Sequence, residues 1–208
     1  MLGCVAACPQ GGQVTGIAAP QALGGEGGNA PTPDLIAAYE EGDERMNTSI
    51  GHCTAEGVSF PYIKKYNHPH INQGLTNDNF PVYRYAEVLL FLAEALNEQG
   101  KTSEALPYLN QVRTRAGLEN STASGQAEIR DAIANERRVE LAFENKRWLD
   151  LVRTGKAVNV MTAYGAYLKA HPQEYYYPAG IIAPPASFTT IKTLFELPAS
   201  EAALSPYF

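Results

Sequence analysis

The sequence predicts a mainly α-helical protein, with a helical hairpin, further helices, long irregular loops and little β structure. Apolar residues recur at helical spacing through three segments, which we expect to form helices at 85–98, 103–116 and 126–144. Between Asn47 and Asn79, Gly, Pro and Asn interrupt the short apolar stretches. This pattern favours helices joined by irregular loops over a fold built on a sheet.

A short helix is predicted at residues 34–47, before the irregular segment. Ile36 and Tyr39 share one side of it and are expected to face inward, whereas its acidic end, EEGDER, is expected to be exposed. Asp43 and Arg45 lie two residues apart within that end. We therefore predict a local ion pair in a turn.

Histidine and cysteine residues in the irregular segment stand at spacings that suggest a pair of metal ligands. They are His52 with Cys53, and His68 with His70. Zinc ligands usually come as two such pairs, and no second pair with suitable spacing accompanies either one. We therefore predict ordinary loop histidines and no metal site.

The helix at 85–98 is apolar over most of its surface. Its polar side is a narrow stripe of Glu87, Glu94 and Glu98, and mainly apolar side chains cover the rest. A helix of this kind must be buried against neighbours on more than one side. Because only two other long helices are available to cover it, we expect Leu90 and Phe91 to remain exposed. The chain should then either self-associate through this side or adopt a loosened, dye-binding state.

A short turn joins this helix to the next one. Gly100 ends the first helix, since glycine adopts a left-handed turn at little steric cost, and Thr102 or Ser103 can cap the second. Ala93 and Ala105 are small enough to let the two helices cross closely, which matches much of the tetratricopeptide repeat. Such arrays need about three or more repeats, and one is convincing here, so we expect further repeats to be missing.

The third helix carries two glutamates, Glu136 and Glu140, in the middle of its apolar face. Two carboxylates one turn apart repel each other and are costly to remove from water, so each needs a partner. Arginine is the best partner because its planar guanidinium matches a carboxylate. We expect a structural ion network in which Arg84 and Arg147 are the first partners, and no catalytic residue.

The part of the chain after this helix is predicted to hold one more helix, at 158–169. A loop dense in Tyr and Pro follows, and its three tyrosines at 175–177 could offer flat faces to a sugar. Adjacent residues point in different directions, so we favour packing over ligand contact as their role. Residues 191–197 are expected to be extended.

Three segments together resemble one protein family. They are RYAEVLLFLAEALNEQG, LNQVRTRAGL and ERRVELAFENKRWLDLVRTGKA, and flanking segments extend the similarity over residues 32–206. On these segments the chain resembles the C-terminal part of the SusD/RagB family. Asn145 departs from the family pattern, which usually has glycine there, but asparagine also tolerates a left-handed helix end. The family also tends to continue beyond Pro206, whereas this chain ends at Phe208.

The resemblance implies a partial SusD-like fold. Residues 32–208 would form the C-terminal domain, without the N-terminal repeat region. Residues 1–31 are rich in Gly, Ala and Gln and nearly uncharged, and we expect a flexible or non-native N-terminus there. Cys4 follows Leu-Gly as in a lipoprotein signal, yet the basic start and the apolar run of a usable signal are missing. With Cys8 and Cys53 the cysteines are odd in number, so no disulfide framework is predicted.

The resemblance also implies a binding protein and not an enzyme. Members of the family are surface lipoproteins of the outer membrane of Gram-negative bacteria. They capture oligosaccharides, or in some relatives peptides, and deliver them to a TonB-dependent transporter of the SusC type. The resemblance implies no cofactor. It identifies no ligand-binding residue, because the ligand contacts of the family come largely from variable loops.

Two alternatives stay open. A glycoside hydrolase would use Glu136 and Glu140 as paired carboxylates, although hydrolytic carboxylates flank a substrate and these share one helix face. A helical-repeat scaffold would bind protein partners along a groove, but it would need further repeats. A nucleic-acid surface is not predicted, because the net charge is −6 and no basic run is present.

Overall fold

The computed structural model describes residues 30–55, 58–66, 79–175 and 183–204. Helices dominate these residues, as the sequence predicts. The chain divides into two compact units between Arg147 and Trp148, and each is described by itself. The elements in chain order are α1 (Pro33–Ile36), α2 (Glu44–Ser49), β1 (Ile50–Ala55), β2 (Val58–Ile63), α3 (Tyr85–Glu98), α4 (Thr102–Arg115), α5 (Gly125–Glu140), α6 (Arg147–Arg153), α7 (Ala157–Ala170) and α8 (Ala199–Leu204).

A β-hairpin occupies part of the segment that was predicted to be irregular, so that prediction is wrong here. β1 and β2 pair antiparallel, with Ile50 opposite Ile63, and both of these isoleucines are buried. Gly51 leaves room for the ring of Tyr62, because a Cβ atom at residue 51 would lie 2.4 Å from Tyr62 Cζ. Pro61 is tolerated in β2 because the described sheet has only two strands. The Gly and Pro that suggest a loop thus belong to the strands themselves.

The core of the first unit is formed by α3, α4 and α5, which all contact one another. Its centre consists of completely buried aliphatic side chains, and burial of each such leucine contributes about 1.5–3 kcal/mol. Ala93 on α3 and Ala105 on α4 are both fully buried, which agrees with the close helix crossing predicted from the repeat pattern. The most buried members of this cluster are Leu90, Ala93, Ala105, Leu109, Val112, Ile129 and Ile133.

The face of α3 that points inward differs from the prediction. Leu90 is fully buried, so its predicted exposure is wrong, whereas Phe91 is 39% exposed. Glu87, predicted on the polar side, is also buried, because it forms ion pairs with Arg137 (3.5 Å) and Lys146 (3.1 Å). Because these two cations balance the charge of the carboxylate, this side of the helix can face the core.

As a consequence, three residues of the mainly apolar surface of α3, most of which was expected to be buried, are exposed. Tyr85, Val88 and Leu92 lie three or four residues apart on α3 and are 73%, 51% and 39% exposed. We call this surface the exposed α3 face. The predicted apolar surface is therefore present on α3, but on a different side from Leu90.

The end of α5 also differs from the prediction. The helix ends at Glu140, four residues before the predicted end at Glu144. Phe143 and Asn145 then adopt left-handed backbone angles, with φ of 69° and 58°. A left-handed Asn145 was predicted; the early end was not. The turn carries the Glu144 carboxylate to Arg84 and Lys65, with contacts of 2.7 and 2.5 Å.

In the second unit, α7 agrees with the predicted helix to within one residue at each end. Residues 191–197 form no strand in the described part of the chain, and α8 follows them. Gly165 lies against Phe188, and a Cβ atom at this glycine would be 2.3 Å from the Cβ atom of Phe188. No helix within the described residues is long and apolar enough to cross a membrane.

Candidate functional site

The two glutamates on the apolar face of α5 are buried, with 2% and 3% exposure for Glu136 and Glu140. One nitrogen of Arg45, Nη1, lies 2.5 Å from Glu136 Oε1 and 3.0 Å from Glu140 Oε2. The same guanidinium contacts Asp43 at 2.7 Å. A single cation thus bridges the carboxylates and offsets their repulsion.

The prediction of a local, exposed ion pair at Arg45 is therefore incomplete. The contact with Asp43 exists, but both side chains are buried, with 9% exposure for Arg45 and 5% for Asp43. The sequence indicated Asp43, two residues away, as the partner of Arg45, but it did not indicate Glu136 and Glu140 on α5. Residues separated by more than 90 positions leave no local signal.

Further cations complete the pairing of the carboxylates. Arg84 donates to Glu140 at 2.9 Å and to Glu144 at 2.7 Å, so the structure brings Arg84 to one of the two predicted glutamates. Arg113 lies 3.3 Å from Glu136. Arg115 donates to Glu140 at 2.6 Å, and its own side chain is 57% exposed. We call these carboxylates and their cations, together with Asp43, Arg45 and Lys65, the buried charge network.

Arg147, the other predicted partner, is the first residue of α6. The arginines described at Glu136 and Glu140 are Arg45, Arg84, Arg113 and Arg115. A role for Arg147 in the network stays a prediction.

The two central glutamates differ in their proton affinity. Burial raises the pKa of Glu140, but hydrogen bonds from Arg84 and Arg45 and the charge of Arg115 outweigh burial and lower this pKa to about 2. Burial also raises the pKa of Glu136, and here it outweighs the effect of Arg45 and Arg113. Glu140 is therefore firmly ionised at neutral pH, whereas Glu136 binds a proton more readily than an ordinary glutamate.

The second unit contains a cluster of aromatic rings on and after α7. Tyr175 contacts Tyr164 and Tyr167 edge to face, with ring centroids 5.6 and 6.2 Å apart. Tyr164 also meets Phe188 at 5.5 Å. Tyr167 stacks on His171, with centroids 4.1 Å apart. Tyr175 thus packs against other rings, as predicted; Tyr176 and Tyr177 lie outside the described residues.

The predicted absence of a metal site can be examined for part of the chain only. His52 lies on β1 and is exposed. His68 and His70 lie outside the described residues, as do Cys4 and Cys8. Within the ranges that the structure describes, no group of three or more His, Cys, Asp or Glu residues could hold a metal ion.

The first unit thus combines a tetratricopeptide-like helical hairpin with a buried charge network. A model of the SusD family matches residues 27–207, and the chain belongs to this family.

Its relatives include two proteins of Formosa agariphila. SusD-like protein P38 is 39% identical over 142 residues, which are 64% of this chain and 28% of the relative. SusD-like protein P2 is 38% identical over 136 residues, or 58% and 26% of the two chains. The chain thus spans only 28% and 26% of the lengths of these two curated relatives.

Solved structures show the same fold. A SusD homolog from Bacteroides thetaiotaomicron has a TM-score of 0.54 and 34% identity over 61% of this chain and 29% of its own. Surface glycan-binding protein A from Bacteroides uniformis has a TM-score of 0.51 and 33% identity, covering 59% and 29%.

Proposed function

We propose that this chain is part of a glycan-binding component of an outer-membrane uptake system. It would bind oligosaccharides at the cell surface and deliver them to a TonB-dependent transporter of the SusC type. The observation that carries the proposal is the match to the SusD family over residues 27–207. The structural similarity to a surface glycan-binding protein at 33% identity supports a carbohydrate as the ligand.

We also propose that the buried charge network is structural. Its carboxylates are turned into the protein and paired with arginines, and both Glu136 and Glu140 lie on one helix. Removing one member of a buried ion pair typically costs about 3–5 kcal/mol of stability. The network joins α2, α4 and α5 to the residues before α3, so it holds together distant parts of the first unit.

The hydrolase alternative has one observation in its favour, the raised pKa of Glu136. A general acid in a glycosidase has this property. However, the side chain of Glu136 is only 3% exposed and its two oxygens are held by Arg45 and Arg113, so a glycosidic bond has no access to it. The arrangement supports binding without cleavage.

The experiment that tests this function measures binding and hydrolysis on the same samples. The chain is titrated by calorimetry with neutral oligosaccharides selected on a glycan array, and new reducing ends are then assayed. We expect saturable binding and no new reducing ends. Turnover that disappears in a folded Glu136→Gln variant would favour the hydrolase, and a chain that binds no glycan would contradict the proposed function.

A further inference from the structure

The C-terminal end of α7 presents an exposed aromatic surface. Tyr167 is 47% exposed, and His171 and Glu174 beside it are exposed as well. The ring of Tyr167 stacks on that of His171, with 25° between their planes. Its hydroxyl donates to Glu174 Oε2 at 2.9 Å. A phenol ring is thus stacked on an imidazole and hydrogen-bonded to a carboxylate, and we call these three side chains the α7 platform.

Neighbouring aromatic rings hold the platform in place. Tyr175 and Tyr167 meet edge to face, and Tyr175 also packs against Tyr164, which in turn packs against Phe188. Gly165 permits this arrangement, because a side chain there would collide with Phe188. A platform that is already ordered loses little conformational entropy when a ligand binds to it.

The hydrogen bonds of the platform determine what it offers to a ligand. His171 Nδ1 lies 3.0 Å from the backbone oxygen of Tyr167. A carbonyl oxygen only accepts hydrogen bonds, so Nδ1 must carry the proton, and Nε2 of the neutral ring is then an acceptor. The Glu174 carboxylate is a second acceptor. An aromatic surface is thus bordered by two groups that accept hydrogen bonds.

We infer that Tyr167, His171 and Glu174 form a contact site for one ring of a neutral saccharide, an inference that rests on the proposed function. A pyranose has C–H groups on its faces, which pack on an aromatic ring, and hydroxyl donors on its rim, which suit the two acceptors. A uronate or sulfated sugar would meet repulsion from Glu174. The platform therefore selects neutral glycans over acidic ones.

The test uses the 208-residue chain and the neutral oligosaccharide that binds it best on a glycan array. Tyr167→Ala is expected to weaken binding about five- to tenfold, since it removes the ring on which the sugar packs. Tyr167→Phe keeps the ring and should retain most of the affinity. Glu174→Gln should narrow the preference for the neutral glycan over an oligogalacturonate of equal length.

The control is Tyr85→Ala, which removes an exposed tyrosine in the first unit and should leave the affinity unchanged. Hydroxyl-radical footprinting of the unmodified chain adds a measurement that needs no variant. Bound glycan should protect Tyr167 and His171 from oxidation, and Tyr85 should stay reactive.

The possible failures are distinguishable. A chain that binds no glycan would overturn both the proposed function and this inference. Glycan binding with full affinity in a folded Tyr167→Ala variant, or without protection of Tyr167 and His171, would overturn the inference alone.

Discussion

At the scale of single residues, Arg45 shows how the first unit tolerates buried charge. Its guanidinium contacts Asp43, Glu136 and Glu140 within 3.0 Å. Burial of an ion costs several kcal/mol, and close pairing with hydrogen bonds is what offsets this cost. Loss of one carboxylate therefore leaves the arginines around it with unbalanced positive charge.

The first prediction at this scale concerns Glu140→Gln. At pH 7 the variant should lose about 3–5 kcal/mol of unfolding free energy, as expected for a buried pair that loses one partner. The pKa of Glu140 is lowered to about 2 from its ordinary value of 4.5. A lowered pKa stabilises the folded state above pH 4.5, and this stabilisation is lost as the pH falls towards 2.

The difference in unfolding free energy between the unmodified chain and Glu140→Gln should therefore shrink by about 3 kcal/mol as the pH falls from 5 to 2. Urea denaturation across this pH range measures it. Glu41→Gln, at an exposed glutamate, serves as the control and should have little effect. If the difference in unfolding free energy between the unmodified chain and Glu140→Gln does not change with pH, the network does not hold Glu140 ionised.

At the scale of elements, the end of α5 depends on a backbone shape that few residues adopt. Asn145 has a φ of 58°, and a left-handed conformation costs a residue with a Cβ atom about 1–2 kcal/mol. We predict that Asn145→Gly is neutral or slightly stabilising, whereas Asn145→Ala destabilises the chain by about 1 kcal/mol. The difference between the two variants in thermal or urea melts is the measurement.

The two substitutions at Asn145 control for each other, because both remove the amide side chain. If Asn145→Gly and Asn145→Ala lower the stability by the same amount, the side chain of Asn145 and not its backbone conformation would stabilise the turn. The turn matters for the network, since it places Glu144 between Arg84 and Lys65.

At the scale of the whole molecule, the exposed α3 face concerns the behaviour of the chain in solution. Contiguous apolar surface of this kind is uncommon on soluble monomers. The prediction of self-association, made from the sequence for Leu90 and Phe91, is therefore transferred to Val88 and Leu92. Size-exclusion chromatography with light scattering should show a mass that rises with concentration.

Leu92→Glu should abolish this rise, because association would then have to bury a charge within the exposed α3 face. Val158→Glu is the control, since Val158 is also an exposed aliphatic residue, on α7 in the second unit, and the variant should associate like the unmodified chain. A monodisperse monomer at every concentration would refute the prediction.

Local patterns in the sequence were sufficient for much of the fold. The apolar periodicity predicted α3, α4 and α7, and the small residues Ala93 and Ala105 indicated where two helices cross. The position of Glu136 and Glu140 among apolar residues indicated two buried carboxylates. These features depend on residues within a few turns of one another, which is the range that periodicity and propensity report.

Only the tertiary structure decided which partners these elements use. Glu87 is buried because Arg137 and Lys146 reach it, and this pairing determines which face of α3 meets the core. Arg45 is buried because it forms ion pairs with Glu136 and Glu140, which lie more than 90 residues further along the chain. The physical reason is that the cost of burying a charge depends on the partner it meets, and the chain brings that partner close only when it folds.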